Sequence, residues 1–457
     1  MRYPYESCHT SYGIAIEVRS RRPFCSSWKL VLYPHRLIRY SAVNMTLKKQ
    51  KGLLLAVYAL CVALRSPALM IHGRIFAEEG SVYLRYAWIH PPMRALLAPH
   101  LGYYSLWANL CGIVAARVFP LSHAAIVLTW CAFLAQVLSA FLIVECEAFE
   151  SLKSKGLALA VLLLACNLES WLNTINTQFY FAICAAVILL SEDSRLRVAR
   201  YGTLLLGGLT GPVVACITPF YLLRAFLNRS KDAIAQSALL LLCTVIQFAA
   251  VASQLSTGAR ELSFQPKGIA PVLLVRYLIP SFFSKLGETA AMVTILGQPS
   301  RYWGARLTWH LPLSWPFILL WAVVDGCFIA LLLWISPGRS SKWLLAVAGW
   351  LALFAMYGAL GGTFSVSERY AFSSEVLIGL SLVLGVTNAE NSRLRRRLGS
   401  VLLACFLLSG TLEYIYFHRW LGTQLAPDWS AQIDAWQSDH TRELFVSPNG
   451  WPGFTLP

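Results

Sequence analysis

The chain has 457 residues, 57% of them hydrophobic and 13% charged, with a formal net charge of +16. A soluble domain is about 45–50% apolar and about 25% charged. This balance, with a mean hydropathy of +0.57, excludes an ordinary soluble fold and predicts an all-α, polytopic transmembrane bundle. The excess of cations needs no nucleic-acid partner, because Lys and Arg collect in cytoplasmic loops of membrane proteins and set their orientation.

No alternation in ten-residue segments marks a transmembrane barrel. The 12 cysteines are scattered, mostly in apolar runs, without the paired spacing of a metal site.

Residues 1–51 are basic and irregular and are expected to be a disordered or wrongly assigned extension; Met45 opens a typical basic lead into a first membrane helix. The first apolar segment is 52–70, and Lys48, Lys49 and Lys51 place its start in the cytoplasm. Residues 71–103 then form the first outer loop. The run 104–119 is expected to lie along the outer interface, because a crossing there would put "SRLRVAR" outside. Segments 121–145, 156–168 and 179–191 follow, with "ESWLNTINTQ" as a second outer loop. The stretch "YGTLLLGGLTGPVVACITPFYLLRAFLNRSK" is basic at both ends and interrupted at "GGLTGP". Two short helices meeting at Gly211–Pro212 keep both basic ends inside, and such breaks occur where they line protein or a wet cavity.

Segment 233–253 leads out to a long outer region, 254–310, whose apolar piece 270–283 is expected to be interfacial or re-entrant. Segments 311–335, 343–360, 373–388 and 399–415 complete a transmembrane domain over 52–415, with about ten or eleven passes. Residues 416–457 form an extracytoplasmic tail. Arg65 and Asp325 fall inside apolar segments, where a charge is costly unless paired or near an end.

Chemistry is concentrated on the outer side. Glu78 and Glu79 stand in "GRIFAEEGSVYLRYAW", just past the first segment, with Tyr83, Tyr86 and Trp88 close behind. The plain alternative is a solvated acidic pair at a helix end. A carboxylate at a desolvated interface is instead shifted toward neutrality and suits a general base. Arg369 and Tyr370, in "SERYAF", stand where another outer loop re-enters the membrane, and a guanidinium there can grip a phosphate bidentately. Arg260, Lys267, Arg276 and Lys285 are outer cations that orientation does not explain; headgroup anchoring is their plain alternative. Arg85, His100 and Tyr103 are candidates for sugar or phosphate, and Asn173, Asn176 and Gln178 for sugar hydroxyls.

The arrangement resembles the GT-C superfamily, integral-membrane glycosyltransferases that use polyprenyl-phosphate-linked sugars. The likeness rests on the acidic pair in the first outer loop, on "HLGYYSLWANL" (100–110) as an interfacial helix opening with aromatics, on the polar second outer loop and on the glycine-rich break, and it covers about residues 50–420 by topology. Many members carry an Asp in the second loop, where this chain offers Glu169 with Asn173 and Asn176.

The resemblance implies that Glu78 or Glu79 deprotonates an acceptor hydroxyl, that the oxygen attacks the anomeric carbon with inversion, and that polyprenyl phosphate leaves. That leaving group needs charge stabilisation, from Arg369, Arg260 or Lys267, rather than protonation. The implied partners are the lipid-linked donor, a glycan, lipid or protein acceptor, and membrane lipids. No cofactor is obligatory, and a divalent cation is left open. The implied location is a bacterial inner membrane, N-terminus inside and tail outside. Two other functions fit the composition: a transporter or flippase for lipid-linked sugars, and a non-catalytic subunit of an envelope-assembly machine.

Overall fold

Helices follow the apolar runs, and prolines and glycines cut them. A computed structural model describes residues 34–165, 169–191, 196–255, 269–283, 315–354, 369–424, 427–448 and 450–457. The chain divides into residues 1–48 and 49–457; described residues 34–48 of the first unit are opening turns of a helix. Among the described residues there is no β-strand, only four isolated bridges.

Helix α1 (Pro34–Arg65) begins on a proline at its first position, where the missing N–H costs nothing. The expected extension over 1–51 is thus helical from Pro34, since no Pro or Gly interrupts 35–51. Pro67 opens a separate short helix, α2 (Pro67–His72), so the segment expected over 52–70 is broken there. The first outer loop follows. It contains a π-helical stretch (Glu79–Leu84), then α3 (Arg85–Ile89) and α4 (Pro92–Leu97). Helix α5 (Leu106–Arg117) has 12 residues, about 18 Å. That is shorter than a hydrocarbon core of about 30 Å.

Helix α6 (Ala124–Glu145) is long enough, and α7 (Leu152–Leu164) and α8 (Thr177–Leu190) follow it. Next come α9 (Arg197–Gly208), α10 (Pro212–Ala215), α11 (Thr218–Asn228) and α12 (Lys231–Leu255). The run 270–283 is helical, with α13 (Ile269–Leu273) leading into a second π-helical stretch. The remainder is α14 (Trp315–Ile335), α15 (Arg339–Phe354), α16 (Arg369–Thr387), α17 (Arg393–Gln424) and α18 (Trp429–Ser438). Helix α17 continues past residue 415, the expected start of the tail, because no helix breaker intervenes before Pro427.

Five helices among the described residues are long and apolar enough to cross a membrane: Leu121–Glu145, Lys231–Ser253, Ile318–Ile335, Arg369–Thr387 and Arg393–Ile415. The Arg369–Thr387 window is 78% buried and the Ile318–Ile335 window 17%, so α16 is the centre of the bundle and α14 lies at its edge. Helix α8 has only 14 residues, yet nearly all are buried, so protein rather than lipid surrounds it. Asp325 is 4% exposed on α14, and neither carboxylate oxygen has a hydrogen-bond partner among the described residues.

The broken stretch is α9 on one side of Gly211–Pro212 and the short α10 followed by α11 on the other, and its far ends return together. Arg200, near the start of α9, and Arg224, near the end of α11, both donate to the carbonyl of Ser191, at 3.1 and 2.8 Å. Ser191 caps α8, about 20 Å from that helix's start. The basic groups therefore gather at the opposite end of α8 from the loops expected to lie outside. The break itself is held by loop backbone: Leu106 N donates to Leu209 O (2.8 Å), and Gly211 N to Tyr104 O (2.9 Å). Gln247 bonds the carbonyls of Tyr104 and Gly208 at 2.9 and 3.2 Å. The orphan groups of two helix ends thus find partners in neighbouring backbone and in Gln247.

Candidate functional site

The first outer loop is pinned at its start by Arg74, a buried guanidinium. It donates to the carbonyl of Trp171 in the second outer loop and lies 4.8 Å over the Phe76 ring. Burial lowers Arg74 to about 10. Trp171 also stacks on Arg65, whose guanidinium lies 4.1 Å from that ring and 4.8 Å from Tyr414, so this buried Arg sits at a helix end between aromatic faces.

The two glutamates part company. Glu79 is 1% exposed. Its carboxylate accepts from Phe76 N (2.7 Å), from Thr174 Oγ1 (2.7 Å) and from Thr174 N. One side chain thus clamps the first outer loop to the second. Burial pushes this carboxyl up to about 7, against the pull of the Thr174 and Phe76 donors and of Arg74. The carboxyl shifted toward neutrality, as expected of a base, is therefore one already engaged on both oxygens.

Glu78 is the N-cap of the π-helical stretch and is half-buried. Its Oε2 is buried without a hydrogen-bond partner among the described residues. It lines a cavity of about 200 Å³ together with Tyr103, Asn176, Gln178, Arg369 and Tyr370. Arg369 has Glu78, Glu169 and Tyr103 as electrostatic neighbours. Its apolar lining comes from Phe179 of α8, Val213 of α10, and Leu351 and Phe354 of α15. The cavity thus carries polar and charged side chains together with apolar ones, both kinds drawn in part from the apolar helices α8 and α16.

The sequence candidates thus fall into three groups. Glu78, Tyr103, Asn176, Arg369 and Tyr370 share the cavity. Glu79, Arg85, His100 and Asn173 do other work. Arg85 Nε donates to Thr455 O in the tail at 3.1 Å. The His100 ring packs edge-on against Tyr83 and Tyr86, at 5.2 and 4.8 Å, and burial lowers it to about 4. His100 opens a tight turn whose central residues, Leu101 and Gly102, have φ of 55° and 82°; it is the turn's Leu101 and Tyr103 that reach the cavity. Asn173 serves its own loop, its Oδ1 accepting from Asn176 N at 3.1 Å. Arg260 and Lys267 lie outside the described residues.

Thr174 and Arg74 carry functions that sequence reasoning missed. Arg74 left a signal, a lone cation five residues before Glu79; Thr174 left none. Among the described residues no three His, Cys, Asp or Glu side chains gather to hold a metal ion.

Two features mark the region as held under constraint. Ala77, Leu101 and Leu172 adopt left-handed φ of 50°, 55° and 49°. Such conformations cost about 1–3 kcal/mol each and persist where surrounding structure imposes them. Gly211 has φ +81°, and a Cβ there would collide with Oε1 of Gln178. Gly211→Ala is therefore expected to lower stability by more than about 1 kcal/mol and to displace Gln178 from the cavity wall; a thermal midpoint equal to the wild type's would contradict this.

No family model matches the chain, nor does any curated protein or solved structure.

Proposed function

We propose that the protein is a membrane glycosyltransferase of the GT-C type, moving a sugar from a polyprenyl-phosphate donor to an acceptor hydroxyl at the outer face of a bacterial inner membrane. The observation that carries this reading is that Glu78, whose Oε2 has no hydrogen-bond partner among the described residues, lines the same cavity as Arg369. Glu78 takes the proton of the acceptor hydroxyl. The acceptor oxygen bonds to the anomeric carbon as the bond from that carbon to the phosphate oxygen breaks. The electron pair departs with the phosphate, and Arg369 meets the charge. Asn176, Gln178 and Tyr103 offer partners to sugar hydroxyls. The apolar lining from α8, α10 and α15 suits the first isoprene units of a lipid and has no use in a site for a soluble nucleotide sugar. Glu79 has no acid–base part in this scheme.

A transport reading draws on the re-entrant break at Gly211–Pro212, whose Pro212 borders the cavity, since transporters place substrates at such breaks. Purified protein in nanodiscs separates the two. Arg369→Ala is expected to weaken polyprenyl-phosphate binding about 10- to 100-fold, the worth of a charged hydrogen bond, with Arg369→Lys intermediate. Equal affinity in all three proteins would sink the phosphate role. Movement of lipid-linked sugar across vesicles without any sugar transfer would favour transport.

A further inference from the structure

The C-terminal region does not merely lie beside the site. Ser447 N donates to Ile75 O (2.8 Å), and Ala77 N donates to Ser447 O (2.5 Å), which makes a parallel bridge at Phe76. Ala77 is the left-handed residue immediately before Glu78, so its N–H is fixed from the tail. Leu444 and Phe454 exchange both backbone hydrogen bonds, at 2.8 and 2.9 Å, closing the tail on itself. At Gly80 a Cβ would meet Phe454 Cε1 and Val446 Cγ1, each at 2.7 Å. Phe454 and Val446 thus press on the first turn after Glu78. Beyond this contact, Trp429 Nε1 donates to Leu121 O (2.8 Å), and Trp436 meets Trp88 edge-on at 6.3 Å.

We propose that the tail segment 444–447, with Phe454, is a positioning element of the reaction centre: it holds the backbone on both sides of Glu78 and so fixes the carboxylate in the cavity. The tail touches none of the reacting atoms. It acts through Ala77 and Gly80, and a loosened tail leaves the donor's cavity walls on α8, α15 and α16 in place. As a role in transfer, this inference rests on the glycosyltransferase reading.

The test uses the full chain in nanodiscs and a Val446→Ala/Phe454→Ala double variant. Amide hydrogen exchange reads the tail segment independently of any chemistry. Exchange at Ala77 and Gly80 is expected to rise about tenfold or more while α8 and α16 keep their protection, because sub-global opening confined to the outer loop exposes only its own amides. In a transfer assay, kcat is expected to fall about tenfold with KM for the polyprenyl-phosphate donor within about twofold, the pattern of a lost transition-state arrangement. Phe454→Leu, which keeps an apolar filler against Gly80, should restore most of the rate.

Unchanged exchange at Ala77 and Gly80 in the double variant overturns the proposal whatever the chemistry. Loss of protection throughout α8 and α16 also overturns it, because the tail would then support the whole bundle rather than one loop. If exchange rises as expected but Glu78→Gln transfers sugar at the wild-type rate, the glycosyltransferase reading fails while the mechanical link stands.

Discussion

Glu78→Gln should leave the fold intact and lower sugar transfer by at least about 100-fold, the lower end of what a general base contributes. The substitution removes only the charge and the basic lone pair. Glu78 Oε2 is buried with no partner among the described residues, so no described hydrogen bond to that oxygen depends on its ionised form. Donor affinity should change little, because Arg369 and the apolar lining remain. Transfer rate and donor binding, measured on one preparation, decide the matter: full activity in the variant rules out Glu78 as the base.

The neighbouring residue should behave in the opposite way. Glu79→Gln is expected to destabilise the outer loops by about 1–3 kcal/mol, since an amide cannot accept on both sides and its nitrogen would face the N–H of Phe76 or of Thr174. The wild-type carboxyl also makes stability depend on pH. Its folded value of about 7 lies above the ordinary 4.5, so between these values the folded state binds the proton more tightly than the unfolded state does. The stability it lends is full below about 4.5 and is lost as pH rises through about 7, with a ceiling of roughly 3 kcal/mol. Thermal midpoints between pH 5 and 8 should therefore fall with rising pH in the wild type and flatten in Glu79→Gln. An identical slope in both proteins would refute the assignment.

Much of the helical frame was legible because the bilayer fixes a length. The apolar runs at 121–145, 233–253, 311–335, 373–388 and 399–415 each contain or match a helix of spanning character. The glycine–proline break was legible too, since one continuous helix would have carried its basic ends to opposite faces. Shorter runs were less clear: α8 is apolar all round because protein encloses it, and α1 stops at Arg65 because Pro67 restarts the chain.

At the site, residue type announced the acids but not their roles. Successive residues on a helical turn point about 100° apart, so which of Glu78 and Glu79 meets the cavity depends on Thr174, a residue 95 positions from Glu79. Asn173 and Asn176 look equivalent in "NTINTQ"; both side chains donate to the carbonyl of Glu169 in their own loop, and only Asn176 also lines the cavity. Arg85 was read as a ligand for substrate because its partner, a main-chain carbonyl in the tail, has no signature in sequence.

That partner is 370 residues away along the chain. Contacts of such separation cannot form until the intervening segments are in place, and closing so long a loop is a late event. The loop that carries Glu78 is synthesised well before the tail segment that steadies it. Until then Ala77 lacks the bond that holds its left-handed backbone, and the acid beside it has no fixed direction. The cavity that Glu78 lines is thus completed near the end of assembly, and a partly assembled chain presents its acids without that geometry.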